Sequence, residues 1–167
     1  MIYETDTVSF KFWNGTTWGA LPSPVVPSAF VYRTSSIAYT PGNQNWIPFQ
    51  SSLYMNDITW DGAADLTVNT TGLYSFSANV YFDCTSGLTS FRINASAGYS
   101  NNRMQFYLPN GPTQGFGTLT FPWYITAGQV IHCSMYNTGG SAPFYMGGSS
   151  QGLVNSSSMS LTWLGNV

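Results

Sequence analysis

Apolar and polar residues alternate one by one along much of this chain, which is the period of a strand and not of a helix. The longest run is Leu73 to Phe82, where Tyr74, Phe76, Ala78, Val80 and Phe82 fall on one side and Ser75, Ser77, Asn79 and Tyr81 on the other. Side chains of a strand point alternately to its two faces, so this segment reads as a strand with an apolar face on a core and a polar face outside. Thr70-Thr71-Gly72 ahead of it is turn chemistry. Shorter runs of the same kind follow, carried by Phe91, Ile93 and Ala95, by Met104, Phe106 and Leu108, and by Leu119 and Phe121. Two more run over Val130–Tyr136 and through Met159, Leu161 and Trp163. Pro109-Asn110-Gly111-Pro112 and Ala127-Gly128-Gln129 read as turns between them. Strands at this spacing predict an all-β, antiparallel two-sheet sandwich or barrel.

The first 28 residues have a different texture. Tyr3–Thr7 and Phe10–Trp13 read as two short strands, and Asn14-Gly15 is a hairpin-turn dipeptide leading to Trp18. Leu21-Pro22-Ser23-Pro24-Val25-Val26-Pro27-Ser28 holds three prolines and reads as an extended, semi-rigid tether. The expected organisation is therefore an N-terminal arm over 1–28 and a head domain over 29–167. An arm this short cannot bury a core of its own. Tyr3, Phe12, Trp13 and Trp18 are accordingly expected to anchor it on another molecule.

Composition narrows the function. Only 6% of the 167 residues are charged, against roughly 25% in an ordinary soluble domain. Serine, threonine, asparagine and glutamine take their place at 58 residues, while 43% hydrophobic content argues against disorder. Four basic residues, Lys11, Arg33, Arg92 and Arg103, cannot neutralise a phosphate backbone, so nucleic acid is not an expected partner. No apolar run approaches the roughly 18 residues of a membrane span. Met1-Ile2-Tyr3-Glu4 lacks the start of a secretory signal, and the expectation is folding in a reducing cytosol with Cys84 and Cys133 as thiols.

Chemistry has little to work with. Acid–base, metal or nucleophilic catalysis needs several ionisable groups together, and the chain has one histidine, two cysteines and six acids. His132 lies on a strand face with Val130, Ser134 and Tyr136 and reads as a hydrogen-bonded structural residue. Asp57, Asp61 and Asp65 put three carboxylates within nine residues, a candidate calcium loop. Asx-turn chemistry around Asp61-Gly62 is the plainer account of the same cluster. Trp46, Trp60, Trp123 and Tyr99 are candidate faces for sugars or a protein partner, with burial as the plainer account. No cofactor is implied, and an enzyme is not expected.

Four blocks carry a resemblance to a known family. They are Phe30-Val31-Tyr32-Arg33 with Trp46-Ile47-Pro48-Phe49, then Leu66–Phe76 with its Gly72-Leu73-Tyr74-Ser75-Phe76 core, Ile125–Val130, and Ser158–Gly165. In this order they resemble the jelly-roll head of the tumour necrosis factor and complement-1q family, with Thr71 where the family prefers proline and Gln129 in place of an acid. The resemblance implies two antiparallel sheets and a homotrimer, in which a surplus among the 28 aromatic residues would line the subunit interface. The arm, Tyr3–Thr7 with Phe12–Trp18, is similar to a short element of tailed-bacteriophage structural proteins. Together they imply a virion protein: a capsid decoration or cement trimer whose arm binds the major capsid protein or another virion protein. The alternative they imply is the tip of a tail or head fibre that recognises a host-surface glycan or protein.

Overall fold

The computed structural model describes residues 2–4, 9–13, 15–20, 26–39, 44–84, 88–97, 102–111, 114–137, 144–146 and 157–166. Every regular element among them is a strand. The arm supplies β1 (Ile2–Glu4), β2 (Ser9–Trp13) and β3 (Trp18–Ala20), an antiparallel sheet of their own in which Tyr3 pairs with Phe10 and Trp13 with Trp18. The third strand is the one the alternation pattern left out.

The head contains two sheets. The seven-stranded sheet is built on β10 (Gly72–Cys84), whose whole length pairs with β13 (Gln114–Ile125) along one edge. The other edge of β10 carries β16 (Ser158–Gly165) and then β15 (Phe144–Met146). Beyond β16 lie β4 (Ser28–Tyr32) and β7 (Ser51–Asn56), and beyond β15 lies β5 (Ile37–Tyr39). The six-stranded sheet runs β12 (Asn102–Gly111), β11 (Leu88–Ala97), β14 (Val130–Asn137), β9 (Leu66–Val68) and β8 (Ile58–Trp60), and β6 (Gln44–Trp46) also pairs with β14.

The core between the sheets follows the alternation. Tyr74, Phe76, Ala78, Val80 and Phe82 of β10 are all buried, as are Met159 and Leu161 of β16 and Ile131, Cys133 and Met135 of β14. Phe76 packs its ring 5.2 Å from Phe121 and 5.7 Å from Trp123, an edge-on contact in the second case. Cys133 is a free, buried thiol, so no bridge joins it to Cys84, and burial pushes its pKa up to about 12.

Three of the four residues read as the Pro109–Pro112 turn belong to a strand. Pro109, Asn110 and Gly111 continue β12, with Pro109 opposite Ser90 and Gly111 opposite Leu88. Strand β12 ends the strand order of its sheet, the kind of position to which proline within sheets is confined.

Candidate functional site

Three rows across the face of the seven-stranded sheet turned away from the core carry only uncharged side chains. Register places Phe30, Ser160, Ser77 and Thr120 in one row across four strands. The neighbouring rows are Tyr32, Ser158, Asn79 and Thr118, and Ser28, Thr162, Ser75 and Pro122. Hydroxyls and amides bond across the strands: Ser77 Oγ lies 3.0 Å from Thr120 Oγ1, and the Thr118 hydroxyl donates to Asn79 Oδ1 at 2.7 Å. No Asp, Glu, Lys or Arg occupies these rows. Aromatics flank them on both sides. Phe30 stands with ring centroids 6.1 Å from both Tyr32 and Tyr54, and Tyr81 pairs with Phe116 at 5.1 Å. Tyr54 is 40% exposed and Phe116 49%. The β7 edge adds Leu53, pushed outward at the register shift opposite Phe30 and Val31.

Of the aromatics singled out in the sequence, Trp123 is in the core, Trp60 packs against it, and Tyr99 lies outside the described residues. Among the described residues of the head, the exposed aromatics are instead Tyr54, Phe116 and Tyr124. The signal that finds the last two is phase: they alternate with the inward Leu119 and Trp123 along β13.

Among the predicted anchors, Trp13 is 53% exposed beside the exposed Gly15-Thr16-Thr17 turn. Strand positions place Tyr3 on β1, Phe12 on β2 and Trp18 on β3, and their side chains lie outside the described residues.

The three aspartate side chains make different contacts. Asp61 Oδ1 accepts from the Ala63 N–H at 2.7 Å and the Asp65 N–H at 3.1 Å, with Gly62 at φ +82°, so the Asx-turn account holds here. Asp57 adopts the left-handed φ of 50° and accepts from the Thr70 hydroxyl at 2.5 Å. Asp65 turns to His132, with Oδ1 at 3.2 Å from Nδ1. Among the described residues no three His, Cys, Asp or Glu side chains gather into a metal-holding group.

His132 is fully buried on the outward side of β14 and bonds Asp65, the hydrogen-bonded structural residue expected of it. Trp46 buries it, since its ring lies against the imidazole at 4.0 Å between centroids. Ser134 is buried as well and accepts a hydrogen bond from Gln44 Nε2 at 2.9 Å. Strand β6, paired beside β14 in the same sheet, thus lays the Trp46 and Gln44 side chains across the outward face of β14. The other buried polar group of note is Arg33, whose guanidinium donates to the Ser35 and Pro48 carbonyls and whose pKa burial lowers. Tyr39 nearby is pushed up to about 12 by burial, with Arg33 opposing.

No family model and no curated protein matches the sequence. Solved structures do match its fold. Murine APRIL superposes with a TM-score of 0.59 over 82% of this chain and 99% of its own, at 8% identity. Eiger TNF from S. frugiperda gives 0.60 over 85% and 94% at 11% identity, and the globular domain of zebrafish complement 1qA gives 0.58 over 84% and 99% at 12%. The head therefore has the jelly-roll fold of the tumour necrosis factor and complement-1q heads.

Proposed function

We propose that this chain is a non-enzymatic surface protein of a tailed-phage particle, a homotrimeric capsid decoration or cement protein anchored by its arm. The observation that carries the reading is the arm itself. Strands β1, β2 and β3 form a sheet of their own that, among the described residues, pairs with no strand of either head sheet, with Trp13 half-exposed beside its turn. Strands of 3, 5 and 3 residues make a unit well below the roughly 40 residues that usually fold without outside support, so such a sheet gains stability on a partner. Three arms on one trimer bind multivalently, which makes a durable attachment out of weak single contacts. The trimer rests on the fold, whose neighbours are tumour necrosis factor and complement-1q heads, and on the uncharged, aromatic-flanked outer face described above.

The test is to delete residues 1–25 and titrate the remaining chain onto particles made without this protein. Loss of binding is expected, and undiminished binding removes the arm's role. Light scattering on the full chain should give three times the 18.3 kDa of one copy, and a stable monomer removes the trimer.

A second reading, a fibre tip that binds a host-surface glycan or protein, is favoured by the exposed Tyr54 and Phe116 beside hydroxyl-rich rows. Under it the purified chain adsorbs to host cells and blocks infection. Failure on a confirmed host sinks it.

A further inference from the structure

The turn that follows β4 gathers its donors on a single oxygen. Gln50 Oε1 accepts from the Thr34 N–H at 3.0 Å and the Ser35 N–H at 2.9 Å. It also accepts from the Thr34 and Ser35 hydroxyls, at 3.3 Å and 2.9 Å. Gln50 Nε2 donates to Ser35 Oγ at 2.7 Å, and the Gln50 N–H donates to the Tyr32 carbonyl at 3.0 Å. Successive backbone N–H groups aimed at one acceptor make the concave nest that favours an anion. A neutral amide oxygen has two lone pairs for these four donors, so the turn offers more than Gln50 can use.

The charge behind the turn has the matching sign. Arg33 is 3% exposed, and its guanidinium donates to the Ser35 and Pro48 carbonyls, which belong to the two segments that build the nest. Among the described residues no carboxylate pairs with it. The sequence from Tyr32 to Asn56 contains no Asp or Glu. A buried guanidinium bonded only to neutral carbonyls keeps an uncompensated positive charge.

We propose that the Arg33–Ser36 turn is a binding site for a carboxylate, in which the Gln50 amide is an internal stand-in that the ligand displaces. A carboxylate has the planar shape of the amide and accepts through two charged oxygens, and charge-assisted hydrogen bonds are roughly twice as strong as neutral ones. The donors converge on one oxygen of a planar group, which fits a carboxylate better than a tetrahedral sulfate or phosphate. The Arg33 fork is already engaged, so it supplies charge and not a bidentate grip. Displacement is local, because Gln50 is an exposed side chain that exchanges its bonds for bonds to water. Val26 precedes β4 and Arg33 follows it, so the tether and this turn lie at opposite ends of that strand. The inference does not rest on what the arm grips.

The experiment follows the Thr34 and Ser35 amide resonances of the full, assembled chain by NMR. Sodium acetate or sodium glucuronate is added at constant ionic strength, with sulfate and phosphate as the comparison arms. Both amides are expected to move and saturate with acetate and glucuronate, with a Kd on the order of 1 mM. Gln50→Ala is expected to bind about tenfold more tightly, because the stand-in no longer competes. Gln50→Glu puts the carboxylate into the chain itself and is expected to abolish the response and to melt above the wild type. That gain is complete above the unfolded glutamate pKa of about 4.3 and is lost as the pH falls below it. No movement of either amide in the wild-type chain overturns the site. An equal or larger response to sulfate or phosphate overturns its assignment to a carboxylate. Gln50→Ala that binds no tighter than the wild type overturns the stand-in role, and Gln50→Glu that melts below the wild type near neutral pH overturns the electropositive nest. Should Gln50→Ala fail to fold, the Gln50→Glu melting curve decides alone.

Discussion

The Trp163 indole lies where a side chain on Gly72 would have to go. A Cβ at position 72 would come within 2.1 Å of Trp163 Nε1 and 2.8 Å of the Gly165 carbonyl oxygen. The glycine that opens the Gly72-Leu73-Tyr74-Ser75-Phe76 block is thus set by close packing between β10 and β16, not by backbone conformation. Gly72→Ala should destabilise the head by about 1–3 kcal/mol, the usual range for forcing a methyl group into a packed site. Chemical denaturation measures it. A double variant with Trp163→Leu should cost less than the sum of the two single changes, because the indole is gone and only the Gly165 carbonyl still crowds the methyl group.

The His132–Asp65 pair ties the loop before β9 to β14 under the cover of Trp46. Asp65→Ala leaves the buried imidazole without this carboxylate and is expected to cost about 1–3 kcal/mol. Trp46→Ala uncovers the same imidazole, and histidine proton exchange followed by NMR should speed up in that variant while the fold persists.

Asp61 acts through one oxygen that an amide also possesses. Asp61→Asn should leave the melting temperature nearly unchanged, whereas Asp61→Ala should cost about 1 kcal/mol by stranding the Ala63 and Asp65 N–H groups. Millimolar calcium should not shift the melting temperature of the wild-type chain. A rise that Asp61→Asn abolishes would contradict the turn assignment.

Alkaline pH should unfold the head. Burial lifts the pKa of Cys133 from 9.0 to about 12, and burial followed by the charge of Asp57 lifts that of Tyr74 from 10.0 to about 12. Both folded-state values lie above the unfolded ones, so their stabilisation is complete below pH 9 and is lost as the pH rises towards about 12. Each group titrating only in the unfolded chain removes roughly 1.4 kcal/mol per pH unit. Denaturation midpoints measured from pH 8 to 11 should fall with that slope, and Cys133→Ala should flatten the part that begins near pH 9.

The fold was legible because a strand's two-residue period exposes which side of it is buried. Tyr74 to Phe82 on β10 and Met159 to Trp163 on β16 needed nothing but their own alternation, and the charge-poor composition bounded the chemistry. Asp61 could also be read locally, since an Asx turn is made within five residues.

Other features depend on residues far apart in the chain. That Trp46 covers His132 and that Trp163 forbids a side chain at Gly72 are both consequences of strand order and register. Alternation fixes which face of its own strand a residue occupies but carries no information about the neighbouring strand. Non-local hydrogen bonding between strands chose those neighbours, and with them it decided which outward side chains are covered and which are left to meet a partner.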